Sequence, residues 1–309
     1  MSPAALPYVL LLGLMFGSTL LVSRYSLSQF APTTYTALRL LISSAAFVAL
    51  YGVAAARGRG RRWPGAAGLR RSGLLRDGIL LGIFGTAVPM VAYVASLQYQ
   101  SAGITALLLT TAPAITVLFA QFLLPDERLT ARAALGIGLA LGGAALLVVR
   151  GESGLAGVAG SPIGYGMVIG AILIDSYMIV YTRRHCRDYD TIDLSTVRTV
   201  AAALLVLPLS LLLVGFDLSA VTAAGVAALF YASAAGTFGG LMLFLWVNQR
   251  FGATASSLTS YVLPVVAAVG GVLFLGEQVT PVMLAGMALI IAGIALLNRR
   301  DPVALEVDA

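Results

Sequence analysis

The sequence predicts an all-α polytopic membrane protein: ten transmembrane helices arranged as two inverted five-helix repeats around a central cavity. Three observations carry this reading. Of 309 residues, 59% are hydrophobic and only 10% charged, whereas soluble chains average about 25% charged residues. Ten apolar runs each approach the ~20 residues that cross a bilayer core. And the second half of the chain repeats the pattern of the first.

The runs are bounded by charges or turns. The first, 6–27, carries Arg24 near its end; it lacks the basic leader and small-residue cleavage site of a secretory signal. The second, 32–56, stops where Arg57 begins an arginine-rich stretch. The third, 77–98, and the fourth, 102–124, are parted only by the polar break around Tyr99-Gln100-Ser101. Pro125-Asp126-Glu127-Arg128 closes the fourth, and Arg150 the fifth, 131–149. The sixth, 162–184, ends on Arg183-Arg184, and the seventh, 191–215, on Gly215. The eighth, 221–247, precedes Arg250. The ninth, 252–275, ends before Gly276, and the tenth, 280–298, before Arg299-Arg300.

Charge placement orients the runs. All 19 basic residues are arginine. With a cytoplasmic N-terminus, fifteen fall on the inward side: seven between Arg57 and Arg76, then Arg128, Arg132, Arg183, Arg184, Arg187, Arg250, Arg299 and Arg300. Only Arg24 and Arg150 lie outward, and Arg39 and Arg198 fall inside runs. Such a bias is the positive-inside pattern, so both termini are expected in the cytoplasm of a bacterial inner-membrane protein. The 57–76 stretch reads as a topology determinant with Trp63 as an interfacial anchor, against an anionic-lipid contact as the sharper alternative. No nucleic-acid motif accompanies it.

The repeat is visible by eye. Ser101-Ala-Gly-Ile-Thr to Ala112-Pro113 matches Gly252-Ala-Thr-Ala-Ser to Leu263-Pro264 at an offset of 151. After a one-residue slip, Glu127-Arg-Leu-Thr130 matches Glu277-Gln-Val-Thr280, and Gly136 matches Gly286. Arg39 pairs with Arg198 in the same scheme. The chain therefore divides into 1–150, a glycine-rich linker 151–160, a second repeat 161–300 and a tail 301–309. Five spans per repeat force the second to insert upside down, a common plan for secondary transporters.

Gly17-Ser18, Arg39 and the doubled Glu-x-x-Thr block at 127–130 and 277–280 resemble the EamA-type exporters of the drug/metabolite transporter superfamily, over nearly the whole chain. The resemblance implies ten helices around a cavity lined chiefly by spans 1, 3, 4, 6, 8 and 9. It also implies efflux of amino acids, including the aromatic type, or of related metabolites. The sequence departs from the pattern in span 6, where Ile174-Asp175 faces Gly17-Ser18.

Three charges lie well inside the apolar runs, away from their ends, where charges are costly and face the protein interior. Asp175, mid-span, suits a coupling proton or a substrate ammonium, against a carboxylate hydrogen-bonded to a neighbouring helix. Arg39 and Arg198, at matching depths, suit a shared structural task such as fixing broken helix ends or pairing with an acid. The competing reading is a substrate carboxylate. Glu127 and Glu277 sit at opposite faces, so they form no acid/base pair; each is expected to cap the next helix with Thr130 or Thr280. The substrate-binding candidates are Ser18, Tyr93, Thr110, Thr111, Asp175, Ser176, Tyr177, Tyr181, Phe238 and Tyr261. Tyr177 and Tyr181 share a helix face at i, i+4. Pro89, Pro113, Pro208 and Pro264 are expected to interrupt their spans.

A cavity with aromatics and few charges favours a zwitterion with an apolar or aromatic side chain. A nucleotide-sugar, sugar-phosphate or drug-type carrier of the same superfamily is the alternative. An intramembrane lipid enzyme lacks clustered carboxylates or a Ser–His arrangement, and a passive channel lacks a charged ring. No P-loop is present. A lone Cys186 and a lone His185 leave neither a disulfide scaffold nor a metal site, and no cofactor is implied. The expected partners are a small-molecule substrate and the lipid bilayer, with monomer and homodimer both open.

Overall fold

The computed structural model describes residues 3–56, 73–123, 130–251 and 258–298. These form ten helices in chain order. The first five are α1 Leu6–Ser26, α2 Pro32–Ala56, α3 Leu74–Ser96, α4 Ala102–Leu123 and α5 Ala131–Val149. The second five are α6 Pro162–His185, α7 Thr191–Leu213, α8 Ala223–Val247, α9 Thr259–Leu275 and α10 Pro281–Asn298. Nine are long and apolar enough to cross a membrane. The remaining one, α9, is the shorter; 252–257, where its run was expected to start, lie outside the described residues. α3 starts three residues earlier than the charge pattern implied. Gly73, at φ +73°, turns the chain into the helix, which places Asp77 in its first turn instead of at its edge.

Helix starts follow capping chemistry. Ser101, Thr130, Thr222 and Thr280 each accept an N–H three residues on, at 3.0–3.2 Å, satisfying a donor with no partner inside the helix. Leu212, Phe274 and Val149 are largely exposed, as residues facing lipid are.

In lipid there is no hydrophobic drive between helices, so close backbone approach matters. α5 and α10 show it. A Cβ built on Gly136 would stand 2.7 Å from the Gly293 carbonyl oxygen, and one on Gly143 2.7 Å from that of Gly286. Since Gly136 corresponds to Gly286 in the repeat, the two contacts exchange under a pseudo-two-fold axis. Gly143→Leu is expected to destabilise the fold by about 1–3 kcal/mol through overpacking, read as a lowered unfolding midpoint in detergent. Gly142→Leu, whose Cβ meets open space, is the matched control and should leave the midpoint unchanged.

The most extensive helix pairs all join one repeat to the other: α5–α10, α1–α9, α2–α7, α3–α6, α3–α7 and α4–α6. The repeats are interlocked, and the bundle cannot separate into halves without breaking its main seams.

The helices are irregular at mid-depth. α3 carries a π-helical turn at Ile83–Ala87 and α8 one at Ala232–Gly239, while α4 breaks at Thr110-Thr111. Two of the four prolines expected to interrupt spans, Pro208 and Pro264, instead lie inside continuous helices. The π turn of α8 has no proline near it. Proline is one cause of such irregularity; here a side chain inserted from another helix is the more general one.

The ends of the bundle differ. Toward the arginine-poor side, Leu20, Leu97, Ala102, Ala106 and Ala267 form one cluster with Leu109 and Leu263. It draws α1, α3, α4 and α9 onto the axis. Toward the arginine-rich side, the described clusters are separate: Ala5, Val9 and Val247 between α1 and α8, Ala120 with Val180 between α4 and α6, and Leu74, Leu81, Met178, Leu194 and Val197 joining α3, α6 and α7. One end of the axis is packed; among the described residues the other is not bridged.

Candidate functional site

Arg39 and Arg198 organise the middle of the bundle. Arg39 Nε donates to Thr237 Oγ1 at 2.8 Å and Nη1 to Ser23 Oγ at 3.3 Å. Arg198 Nε donates to Thr86 Oγ1 at 2.9 Å and Nη2 to the Gly85 carbonyl at 2.8 Å. Thr86 and Thr237 sit in the two π turns and donate back to Leu81 O and Ala232 O, five residues earlier. Pro89 has no N–H to offer the Gly85 carbonyl, and Arg198 supplies the missing donor. Each guanidinium thus reaches from one repeat into the third helix of the other. Each arginine thereby holds an irregular turn of the opposite repeat; among the described residues no acid lies within ion-pair distance of either arginine. The sequence signal for it is a Gly-Thr pair at 85–86 and 236–237, offset by the same 151 residues.

Beside the Arg198 clasp lies Asp175 on α6. It is partly accessible and within electrostatic reach of Arg198. Tyr93 on α3, also partly accessible, lies within reach of Asp175, Arg198 and Arg39. Among the described residues neither the Asp175 carboxylate nor the Tyr93 hydroxyl has a hydrogen-bond partner. Polar groups at this depth that lack partners are able to take a ligand's. Ser176 faces α4, donating to the Ala112 carbonyl at 3.2 Å, next to the break at Thr110-Thr111. Both threonine hydroxyls are buried and bonded to carbonyls of their own helix at 2.7 Å.

The other candidates are held elsewhere. Ser18 Oγ bonds Tyr231 OH at 2.7 Å in a groove of about 500 Å³ lined by Leu21, Tyr25 and Phe274; Tyr25 and Phe274 are exposed, so this is a lateral groove. Tyr177 is exposed against Phe119. Phe238 packs edge-on to Phe47 at 4.9 Å. Tyr261 OH accepts from Asn298 Nδ2 at 3.1 Å, between α9 and α10.

Tyr181 leads to a residue the sequence reading missed. Its hydroxyl donates to Asp77 Oδ1 at 3.0 Å, and Tyr189 OH donates to Asp77 Oδ2 at 2.8 Å. Arg76 Nε bonds Oδ1 at 2.9 Å. Asp77 is 1% exposed, so it ties the start of α3 to the end of α6 and the turn beyond. Burial, reinforced by the bond to Asp77, pushes the Tyr189 hydroxyl up to about 12, and burial pushes the Cys186 thiol up to about 11. Both groups are therefore neutral and structural at physiological pH.

The Glu-x-x-Thr block needs one correction. Thr280 caps α10, as expected, and also donates to Glu152 at 2.9 Å. Glu277 does not cap that helix. It is 5% exposed and accepts from the amides of Ala102, at 2.8 Å, and Gly103, at 3.4 Å. Gly276, at φ +65°, ends α9 and turns the chain, so the carboxylate lies over Gly271 and meets the N-terminus of α4. Burial raises its pKa above the ordinary value, and the two amides and the charge of Arg24 offset only part of that rise. Thr130 caps α5 at Ala133; Glu127 lies outside the described residues, as do 57–72 of the arginine-rich stretch.

Ten apolar helices, interlocked as two inverted repeats about a polar midplane, define a multi-pass membrane protein with the architecture of secondary transporters. The chain belongs to the EamA-like transporter family, whose model matches residues 4–149 and again 162–299. It is thus assigned to a transporter family and not to a family of enzymes. It is 30% identical over 241 residues to the "Probable terminal-alkyne amino-acid exporter" of Streptantibioticus cattleyicolor, covering 76% of this chain and 78% of that protein. A solved crystal structure shares the fold with a TM-score of 0.63 at 23% identity, covering 94% of each chain.

Proposed function

We propose that the protein exports amino acids, with apolar or aromatic side chains favoured, across a bacterial inner membrane by alternating access. In this reading the arginine-rich side and both termini are cytoplasmic, following the positive-inside rule. The packed end then faces outward, and the described conformation opens toward the cytoplasm. In alternating access the helices of the packed end part while those of the opposite end close, with repeats 1–150 and 161–300, joined by 151–160, exchanging roles about the pseudo-two-fold axis.

One observation carries the substrate class: Asp175, a partly accessible carboxylate at mid-membrane depth beside Arg198 and Tyr93. A substrate ammonium answers the carboxylate; the Tyr93 hydroxyl and the remaining Arg198 N–H groups answer a substrate carboxylate. Ser176 and the Thr110-Thr111 break flank this point. The name of the Streptantibioticus relative supports a small amino acid with an apolar side chain.

A sugar-phosphate or nucleotide-sugar carrier is the weaker reading, because a polyanion calls for several converging cations. Here only two arginines lie at this depth among the described residues, each spending N–H groups on a threonine of the opposite repeat. Uptake of radiolabelled phenylalanine, leucine, threonine and a sugar phosphate into proteoliposomes separates the two. Saturable flux of the first two, and none of the sugar phosphate, is expected. The reverse pattern overturns the amino-acid reading.

A further inference from the structure

The N-terminus of α4 has four amides that its own helix leaves without partners. Every one of them is accounted for. Ser101 N bonds Ser153 O at 2.7 Å, and Ile104 N bonds Ser101 Oγ at 3.0 Å. Gly103 N and Ala102 N both bond the carboxylate of Glu277, which comes from the other repeat. Immediately below, Ala102 and Ala106 pack with Leu20, Leu97 and Ala267 in the cluster that closes the axis.

We infer that Glu277 is the latch of the gate on the arginine-poor side: its carboxylate, carried by the second repeat, clamps the first turn of α4, carried by the first. This rests on the alternating-access reading above. Opening that end requires α1 and α9 to part from the Ala102–Leu109 segment of α4. Glu277 follows directly on α9, so the movement must draw its carboxylate away from the two amides. Three further ties surround it: two neutral backbone bonds, Gln278 N to Gly154 O at 2.9 Å and Ser101 N to Ser153 O at 2.7 Å, and one to a carboxylate, Thr280 Oγ1 to Glu152 Oε2 at 2.9 Å. The first and third hold the α9–α10 turn to the linker, and the second holds the start of α4 to it. Among the described residues, only the Glu277 bonds join the turn to α4 directly. A hydrogen bond to an ionised acceptor is roughly twice as strong as a neutral one, and losing a buried acceptor leaves its donors unsatisfied. Removing the carboxylate therefore shifts the gate toward its open state.

The test is accessibility of a thiol in the closing cluster. Leu20→Cys is introduced into the full chain with Cys186→Ser, and spheroplasts are treated from outside with a membrane-impermeant thiol reagent. With Glu277 intact, labelling should be slow. Glu277→Ala should accelerate it about tenfold or more, and Glu277→Gln, which keeps one carbonyl acceptor, should fall between. Asp217→Asn, which removes an exposed carboxylate on the same side, should change nothing. If the alanine variant fails to give a monodisperse protein, the glutamine variant decides alone. Unchanged labelling in a folded Glu277 variant overturns the latch. Amino-acid flux in the same spheroplasts keeps the two proposals apart. Faster labelling without amino-acid flux supports the latch and counts against the substrate class; unchanged labelling with normal flux overturns the latch only.

Discussion

Asp175→Asn is expected to abolish amino-acid transport while the protein still inserts and folds. The substitution keeps the shape and a hydrogen-bonding oxygen and removes only the charge. Asp175 has no hydrogen-bond partner among the described residues, so its charge stabilises no bond that folding would miss. In transport the charge is central: a hydrogen bond to a charged group contributes about 1.5–3 kcal/mol, more than tenfold in affinity. If the same carboxylate carries a coupling proton, the residual flux loses its pH dependence as well. Asp175→Glu, with the charge kept one methylene further out, should retain part of the activity. The check is initial-rate uptake in proteoliposomes at several pH values, with expression and monodispersity measured beside it. Normal rates with an unchanged pH profile would remove Asp175 from the mechanism.

Arg198→Lys is expected to give a large loss of stability. The guanidinium bonds Thr86 and the Gly85 carbonyl from two different nitrogens, a fork that a single ammonium does not reproduce. The π turn of α3 then loses its support, and the carbonyl freed by Pro89 loses its donor. Losing the two bonds should cost about 1–3 kcal/mol, seen as a lower unfolding midpoint in detergent. Thr86→Val removes one of the same bonds, so the double variant should be less destabilised than the sum of the singles. Strict additivity would show that the clasp is not a unit. Arg39→Lys, bonded to Thr237 and Ser23, should behave alike, since the two clasps are related by the repeat.

The fold was legible because lipid imposes a simple rule on sequence. Ten apolar runs and the arginine bias need no three-dimensional knowledge, and the offset of 151 residues exposes the repeat. Asp175 draws notice in sequence for a related reason, since a carboxylate in a mid-membrane run stands out. Other parts were hidden because their partners are remote in sequence. Gly85-Thr86 and Gly236-Thr237 have no hydropathy signature, and their meaning appears only when Arg198 and Arg39 reach them from the opposite repeat. Glu277 carries a local motif that suggested a local cap, yet its acceptor geometry is satisfied 175 residues upstream. Tyr181 shares a helix face with Tyr177, but Asp77 captures its hydroxyl. Asp77 marks the edge of a run in the sequence because a charge usually ends one; buried and held by two tyrosines, it lies inside the first turn of α3 instead.

The central claim is that one midplane site is exposed to one side at a time. Counterflow tests this most directly. Proteoliposomes preloaded with millimolar unlabelled leucine are diluted into a trace of radiolabelled leucine. A carrier draws the label transiently above its equilibrium level, because the returning site is occupied by unlabelled substrate. The expected result is such an overshoot in the wild-type protein and none in Asp175→Asn. A monotonic rise to equilibrium in the wild type, with the same rate in preloaded and empty vesicles, would contradict alternating access and point to a passive pore.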